Sequence, residues 1–131
     1  MTLPLWTLLV ATLLPYVWFS LANPLRKQEF GALDNRHPRI QEAKQTGRGA
    51  RAMGASNNAF EALAVYAPAV LAAHVQSPAS ELAPKLALAW VVLRLAHGVL
   101  YIADKPVGRT ATFALATACS VAFFLVAAHI L

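Results

Sequence analysis

Apolar positions along the chain gather into four long runs separated by polar stretches, with no sustained alternation of the kind a half-buried strand would show. About 20 consecutive apolar residues are enough to cross a bilayer as a helix, and the runs at 3–22, 47–75, 82–103 and 110–131 are each that long. The pattern predicts an all-α, integral membrane four-helix bundle forming one domain over residues 1–131. Trp6 and Trp18 sit like interfacial anchors of the first span. Pro15 and Pro68 fall inside spans one and two, where neighbouring helices can satisfy the backbone groups a kink sets free. The connection at 23–46, NPLRKQEFGALDNRHPRIQEAKQT, is polar and broken by Pro24 and Pro38, and reads as a loop with about one helical turn.

Composition agrees with a membrane protein. Of the 131 residues 58% are hydrophobic and 13% charged, with a mean hydropathy of +0.52, whereas a soluble domain has about a quarter of its residues charged. The single cysteine, Cys119, excludes an internal disulfide. No Cys/His spacing suits zinc, and there is neither a glycine-rich phosphate loop nor a nucleophile elbow. The basic residues lie beside apolar spans without interleaved aromatics, so nucleic acid is not an expected partner.

Charge position orients the bundle. Arg26, Lys27, Arg36, Arg39, Lys44, Arg48 and Arg51 cluster around the first connection, and Lys105 and Arg109 around the third; the opposite side has only Lys85. By the positive-inside rule, residues 23–46 and 104–109 are expected in the cytoplasm and both termini outside. The sequence SLA before Asn23 resembles a signal cleavage site, but no basic residue precedes the apolar run. The first span is therefore expected to stay.

Two spans carry polar groups that hydrocarbon does not tolerate unpaired. On a helix in span two, Arg51, Asn58 and Glu61 fall within roughly 80° of one another, with Arg48 about 60° beyond. In span three, Arg94, His97 and Tyr101 are spaced i, i+3 and i+7, with Trp90 one turn earlier. Taken singly, Glu61 reads as half of a structural ion pair, His97 as a hydrogen-bonded interior histidine and Tyr101 as an interface tyrosine. Two stripes at one depth favour a site. His74 and His129, near the opposite end, are explained by interfacial solvation. Alanine, glycine, serine and threonine in spans two and four permit close helix packing.

These residues resemble the MAPEG family, the membrane-associated proteins in eicosanoid and glutathione metabolism. Arg51, Asn58, Glu61 and Pro68 match its span-two pattern. Arg94, His97 and Tyr101 match the span-three pattern of the microsomal prostaglandin E synthase branch, and Arg109 with Thr110 matches the start of span four. The resemblance covers essentially the whole chain. It implies a homotrimer that binds glutathione as co-substrate in clefts between subunits. It also implies that Asn58 and Glu61 hold the tripeptide's amino end and backbone. Arg51, with Arg48 beside it, would hold carboxylates, and His97 and Tyr101 would line the cleft. Arg109 would favour the thiolate, with Thr110 as the hydroxyl donor. Arg94 would be structural, a partner for an acidic group. The chain departs from the pattern at Gly54, where the family often has arginine, and at Phe113, where tyrosine is expected. The first-loop arginine is matched only loosely, by Arg26 or Lys27.

The expected function is a membrane-embedded, glutathione-dependent transferase or peroxidase acting on lipophilic electrophiles or hydroperoxides. The chemistry suits the residues: glutathione's two carboxylates and ammonium require cations and a carboxylate, and a guanidinium beside a thiol favours the thiolate. The alternative is a non-catalytic trimeric membrane protein that binds lipid headgroups or assists a partner protein. A transporter is less favoured, for want of broken helices.

Overall fold

The computed structural model describes residues 1–131 and is entirely helical. Its five helices are α1 (Leu3–Phe30), α2 (Pro38–Lys44), α3 (Gly47–Gln76), α4 (Leu82–Ile102) and α5 (Pro106–Ala127). All but α2 are long and apolar enough to cross a membrane. Consecutive spans run antiparallel, and α3 packs against α1, α4 and α5.

Close packing follows from small side chains. Ala11, Ala22, Ala52, Ala55, Ala59, Ala69, Ala73, Ala87 and Ala116 are all buried at the helix contacts, where they let backbones approach. The larger apolar residues mostly point outward: Leu13, Leu71, Leu88, Val92 and Leu115 are exposed, as lipid-facing positions should be. One aromatic cluster knits together the half of the bundle away from the α4–α5 turn. Tyr66 stacks on Trp90 with ring centroids 3.7 Å apart, and Phe123 meets Tyr66 edge-on. Trp90 Nε1 donates to Ser120 Oγ at 3.1 Å, and Tyr66 shares a 2.7 Å hydrogen bond with Thr7 of α1. Trp90 therefore belongs to the core rather than to the polar stripe one turn away.

The first connection differs from the expected loop. The helix predicted over 3–22 continues to Phe30, through Pro24, and ends at Gly31, whose φ of 81° suits a glycine terminator. The continuation is held by burial of Ala22 and Arg26. Arg26 pairs with Glu42 at 3.2 Å and donates to Gln45 Oε1 at 3.3 Å, while Gln45 Nε2 donates to the Ala22 carbonyl at 3.1 Å. Glu29 accepts both the backbone N–H and the hydroxyl of Thr46. These bonds tie α1, α2 and the start of α3 into one assembly. Pro38 does not break a helix but opens α2 at a position where its missing N–H costs nothing. Ahead of it, Asp34 accepts the N–H groups of Arg36 and His37 at 2.8 and 3.0 Å, which holds its carboxyl below the usual range.

Two other boundaries shift. Pro106 starts α5 four residues before the expected span, so Arg109 and Thr110 lie in its first turn, and the helix ends at Ala127. Trp18 is not an interfacial anchor: only 6% exposed, it lies against Gly98 of α4, where any β-carbon would collide with its indole.

Candidate functional site

The turn from α4 to α5 sets the site. Asp104 takes a left-handed conformation, φ 59°, and the Lys105 N–H bonds back to the Leu100 carbonyl at 3.0 Å. This tight reversal brings the first turn of α5 beneath the last turn of α4. Arg109 thus lies under Tyr101, its guanidinium carbon 4.6 Å from the ring centroid. Such a cation–π contact is worth about 0.5–2 kcal/mol, depending on desolvation.

His97 fixes the same turn from above. Its Nδ1 lies 3.0 Å from the Arg109 carbonyl, which also accepts the Thr112 hydroxyl at 3.0 Å. A carbonyl only accepts, so Nδ1 carries a proton; in the neutral form of the ring Nε2 is then the acceptor atom. Nε2 is buried and has no partner. Buried polar atoms are nearly always paired, so an orphan of this kind marks a place where a ligand or water is expected.

The third wall comes from α3. Arg94, 2% exposed, donates through Nη2 to the Asn58 backbone carbonyl at 3.1 Å and to Asn58 Oδ1 at 2.8 Å. Asn58 Nδ2 in turn donates to Glu61 Oε2 at 3.2 Å. The expected acidic partner of Arg94 is thus reached through an amide. This relay orients Asn58 and leaves the exposed Glu61 carboxylate free to accept from something else.

Together Asn58, His97, Tyr101, Arg109, Thr110 and Phe113 line a shallow, open cleft between α3, α4 and α5. Beside it runs a second groove, ≈ 530 Å³, lined by Glu61, Val65, Trp90, Arg94, Phe113 and Ala116 among others. Phe113 borders both. A polar cleft with a guanidinium at its mouth therefore adjoins an apolar groove, with a carboxylate beside the junction. The chain belongs to the MAPEG family. A family model described as MAPEG family matches residues 3–129. No curated protein and no solved structure matches the chain.

This MAPEG chain brings six of its eight expected site residues together. Arg48 and Arg51 are not among them. Arg51 turns to α4, donating from Nε to the Ile102 carbonyl at 3.1 Å and lying 3.7 Å from Asp104 Oδ2. Both arginines line a separate groove between α1 and α4. The reason is angular: roughly 80° of helix surface is wide enough to straddle α4, so Arg51 falls on one side and Glu61 on the other. Arg26, a loose match to the family's first-loop arginine, is buried in its pairing with Glu42.

Sequence reasoning missed two contributors. Thr112 pins the Arg109 carbonyl through a side chain that looked like ordinary helix filler. Phe113 counted as a lost hydroxyl, yet it separates the cleft from the groove; its period with Ala116 and Thr117 was the available signal.

Proposed function

We propose that the protein is a membrane-embedded, glutathione-dependent transferase or peroxidase acting on lipophilic electrophiles or hydroperoxides. The observation that carries the reading is the Arg109 guanidinium, set on the Tyr101 ring with its backbone carbonyl bonded to His97, at the mouth of a cleft whose far side holds Asn58, itself bonded to Glu61 at the adjoining groove. Family membership supports the thiol co-substrate.

In this reading Glu61 takes the ligand's ammonium, and Asn58 donates its second amide N–H to the peptide. Arg109 stands by the sulfur and holds it as thiolate by charge, while the Thr110 hydroxyl donates to it. The buried His97 Nε2 accepts a hydrogen bond from the ligand. The thiol proton leaves to water. The thiolate then attacks an electrophilic carbon, forming a C–S bond as the leaving group departs with its electron pair. With a hydroperoxide, it attacks the O–O bond and releases an alcohol; a second thiol converts the resulting sulfenate to disulfide and water. The adjoining apolar groove suits a lipid-soluble second substrate.

One guanidinium cannot answer two carboxylates and a thiolate. The cleft of a single protomer is also open on its lipid side, so a neighbouring subunit completes it; the assembly proposed is a homotrimer. The orientation proposed puts residues 23–46 and 104–109 in the cytoplasm. Reporter fusions after Val75 and Lys105 should then report opposite sides of the membrane, and the same side for both would refute the orientation.

The decisive experiment uses purified protein, glutathione and a generic aryl halide. Turnover is expected in the parent. Arg109→Lys keeps charge but not the planar fork, and should lose part of the rate. Arg109→Ala should lose about tenfold or more, with its pH profile moved upward as the bound thiol regains an ordinary pKa. Glutathione binding, followed by thermal stabilisation, should weaken less than the rate. Full activity in a properly assembled Arg109→Ala protein would overturn the mechanism, and absence of both turnover and stabilisation would overturn the function.

A further inference from the structure

The groove holding Arg48 and Arg51 has its own chemistry. It is an open groove between α1 and α4. Buried Trp18 forms its floor, while Leu21 and Val99, 46% and 58% exposed, form apolar walls that face lipid. Arg48 and Arg51 stand at its polar end, near the start of α3, where the α4–α5 turn lies close by.

The local charge is unbalanced. Arg51 is steadied by the Ile102 carbonyl through Nε, and its Nη1 lies 3.7 Å from Asp104, a carboxylate that is itself 73% exposed. Arg48 is exposed and belongs to none of the chain's ion pairs. Of the two guanidiniums, only that of Arg51 therefore has a carboxylate, a solvated one, within reach. Guanidinium forks suit phosphate oxygens bidentately. A soluble anion would use the two cations but leave the apolar walls bare, whereas a neutral lipid would use the walls and leave the cations unanswered. An anionic amphiphile answers both.

We propose that this groove is a binding site for an anionic phospholipid, with the phosphate held by Arg48 and Arg51 and an acyl chain along Trp18, Leu21 and Val99. The site is separate from the thiol cleft, being on the other side of α4, and does not depend on the proposed catalysis.

Native mass spectrometry of the full chain in neutral detergent tests it, with phosphatidylglycerol and phosphatidylcholine of identical acyl chains as probes. Phosphatidylglycerol should be retained about 25-fold more tightly. Each arginine near a membrane surface contributes a factor of about five, so Arg48→Gln should weaken retention by that factor. Arg48 has no partner within the protein, so this variant should fold as the parent does. Arg48→Gln combined with Arg51→Gln should bring phosphatidylglycerol down to the phosphatidylcholine level. Phosphatidylglycerol with brominated chains should quench tryptophan fluorescence, and Trp18→Phe should remove most of that quenching. Equal retention of the two lipids, or undiminished retention by the double variant, would overturn the proposal. So would displacement by glycerol phosphate at the lipid's own concentration, which would make this a site for free phosphate. Displacement by glutathione would overturn it too, assigning both arginines to the thiol ligand's carboxylates.

Discussion

At position 54 a β-carbon would stand 2.6 Å from the Tyr101 hydroxyl and 2.8 Å from its ring. The family's frequent arginine there is incompatible with this placement of Tyr101, so the departure at Gly54 and the platform under Arg109 are one feature. Gly54→Ala gains about 1 kcal/mol of helix propensity but forces an overpacked contact costing about 1–3 kcal/mol. Tyr101 is only half-buried and can swing aside, so net destabilisation should stay near 1 kcal/mol. The rate should suffer more, because Arg109 loses the ring that positions it. Thermal unfolding and turnover measured on the same preparation check this expectation; a melting loss with unchanged turnover would show that the Tyr101 platform is dispensable.

Among the elements, the α1–α2–α3 assembly rests on Arg26 more than on helix propensity. At 1.5 Å per residue, α1 and α3 measure roughly 42 and 45 Å, well beyond the roughly 30 Å hydrocarbon core that α4 and α5 match. The excess is the basic end, and α2, with no buried residue of its own, is held there by Glu42 and Gln45. Arg26→Leu removes the cation–π contact with Phe19, 5.9 Å from the ring centroid, together with hydrogen bonds to a charged group worth about 1.5–3 kcal/mol each. Because Glu42 keeps Arg39 at 2.8 Å, the expected outcome is local: faster proteolysis within residues 31–46, with the melting of the four spans little changed. Global unfolding together with that cleavage would mean that the connection helps to fold the bundle.

For the molecule as a whole, the exposed Glu61 bears on assembly. Glu61 is exposed on a membrane span, beside an apolar groove that ends at Phe113, and a charge at that depth costs about 3 kcal/mol if it faces lipid. In the assembly proposed, a neighbouring copy would remove that cost. Crosslinking in native membranes is therefore expected to stop at three subunits. A clean monomer that still turns over substrate would place the complete site within one chain.

How much of this was legible beforehand differs by kind of information. Hydropathy alone determined four spans and an all-helical fold, because a bilayer leaves only helices and closed barrels to satisfy the backbone, and long apolar runs without alternation suit only the helix. Spacing alone placed Asn58 and Glu61 on one stripe and His97 and Tyr101 on another at a shared depth, because helical period converts sequence distance into face and height; Arg109 and Thr110 were implied only by the family resemblance. Sequence could not separate Arg51 from that group: its position on α3 is consistent with either side of α4, and only packing chooses. Nor could it show that Pro24 would be absorbed into α1, since the compensating bonds come from Glu42 and Gln45, 16 to 23 residues away. The hydrogen-bond relay from Arg94 through Asn58 to Glu61, and the tautomer of His97, were likewise decided by tertiary structure. Directional bonds depend on where two helices bring their side chains together, and periodicity within one helix holds no record of that.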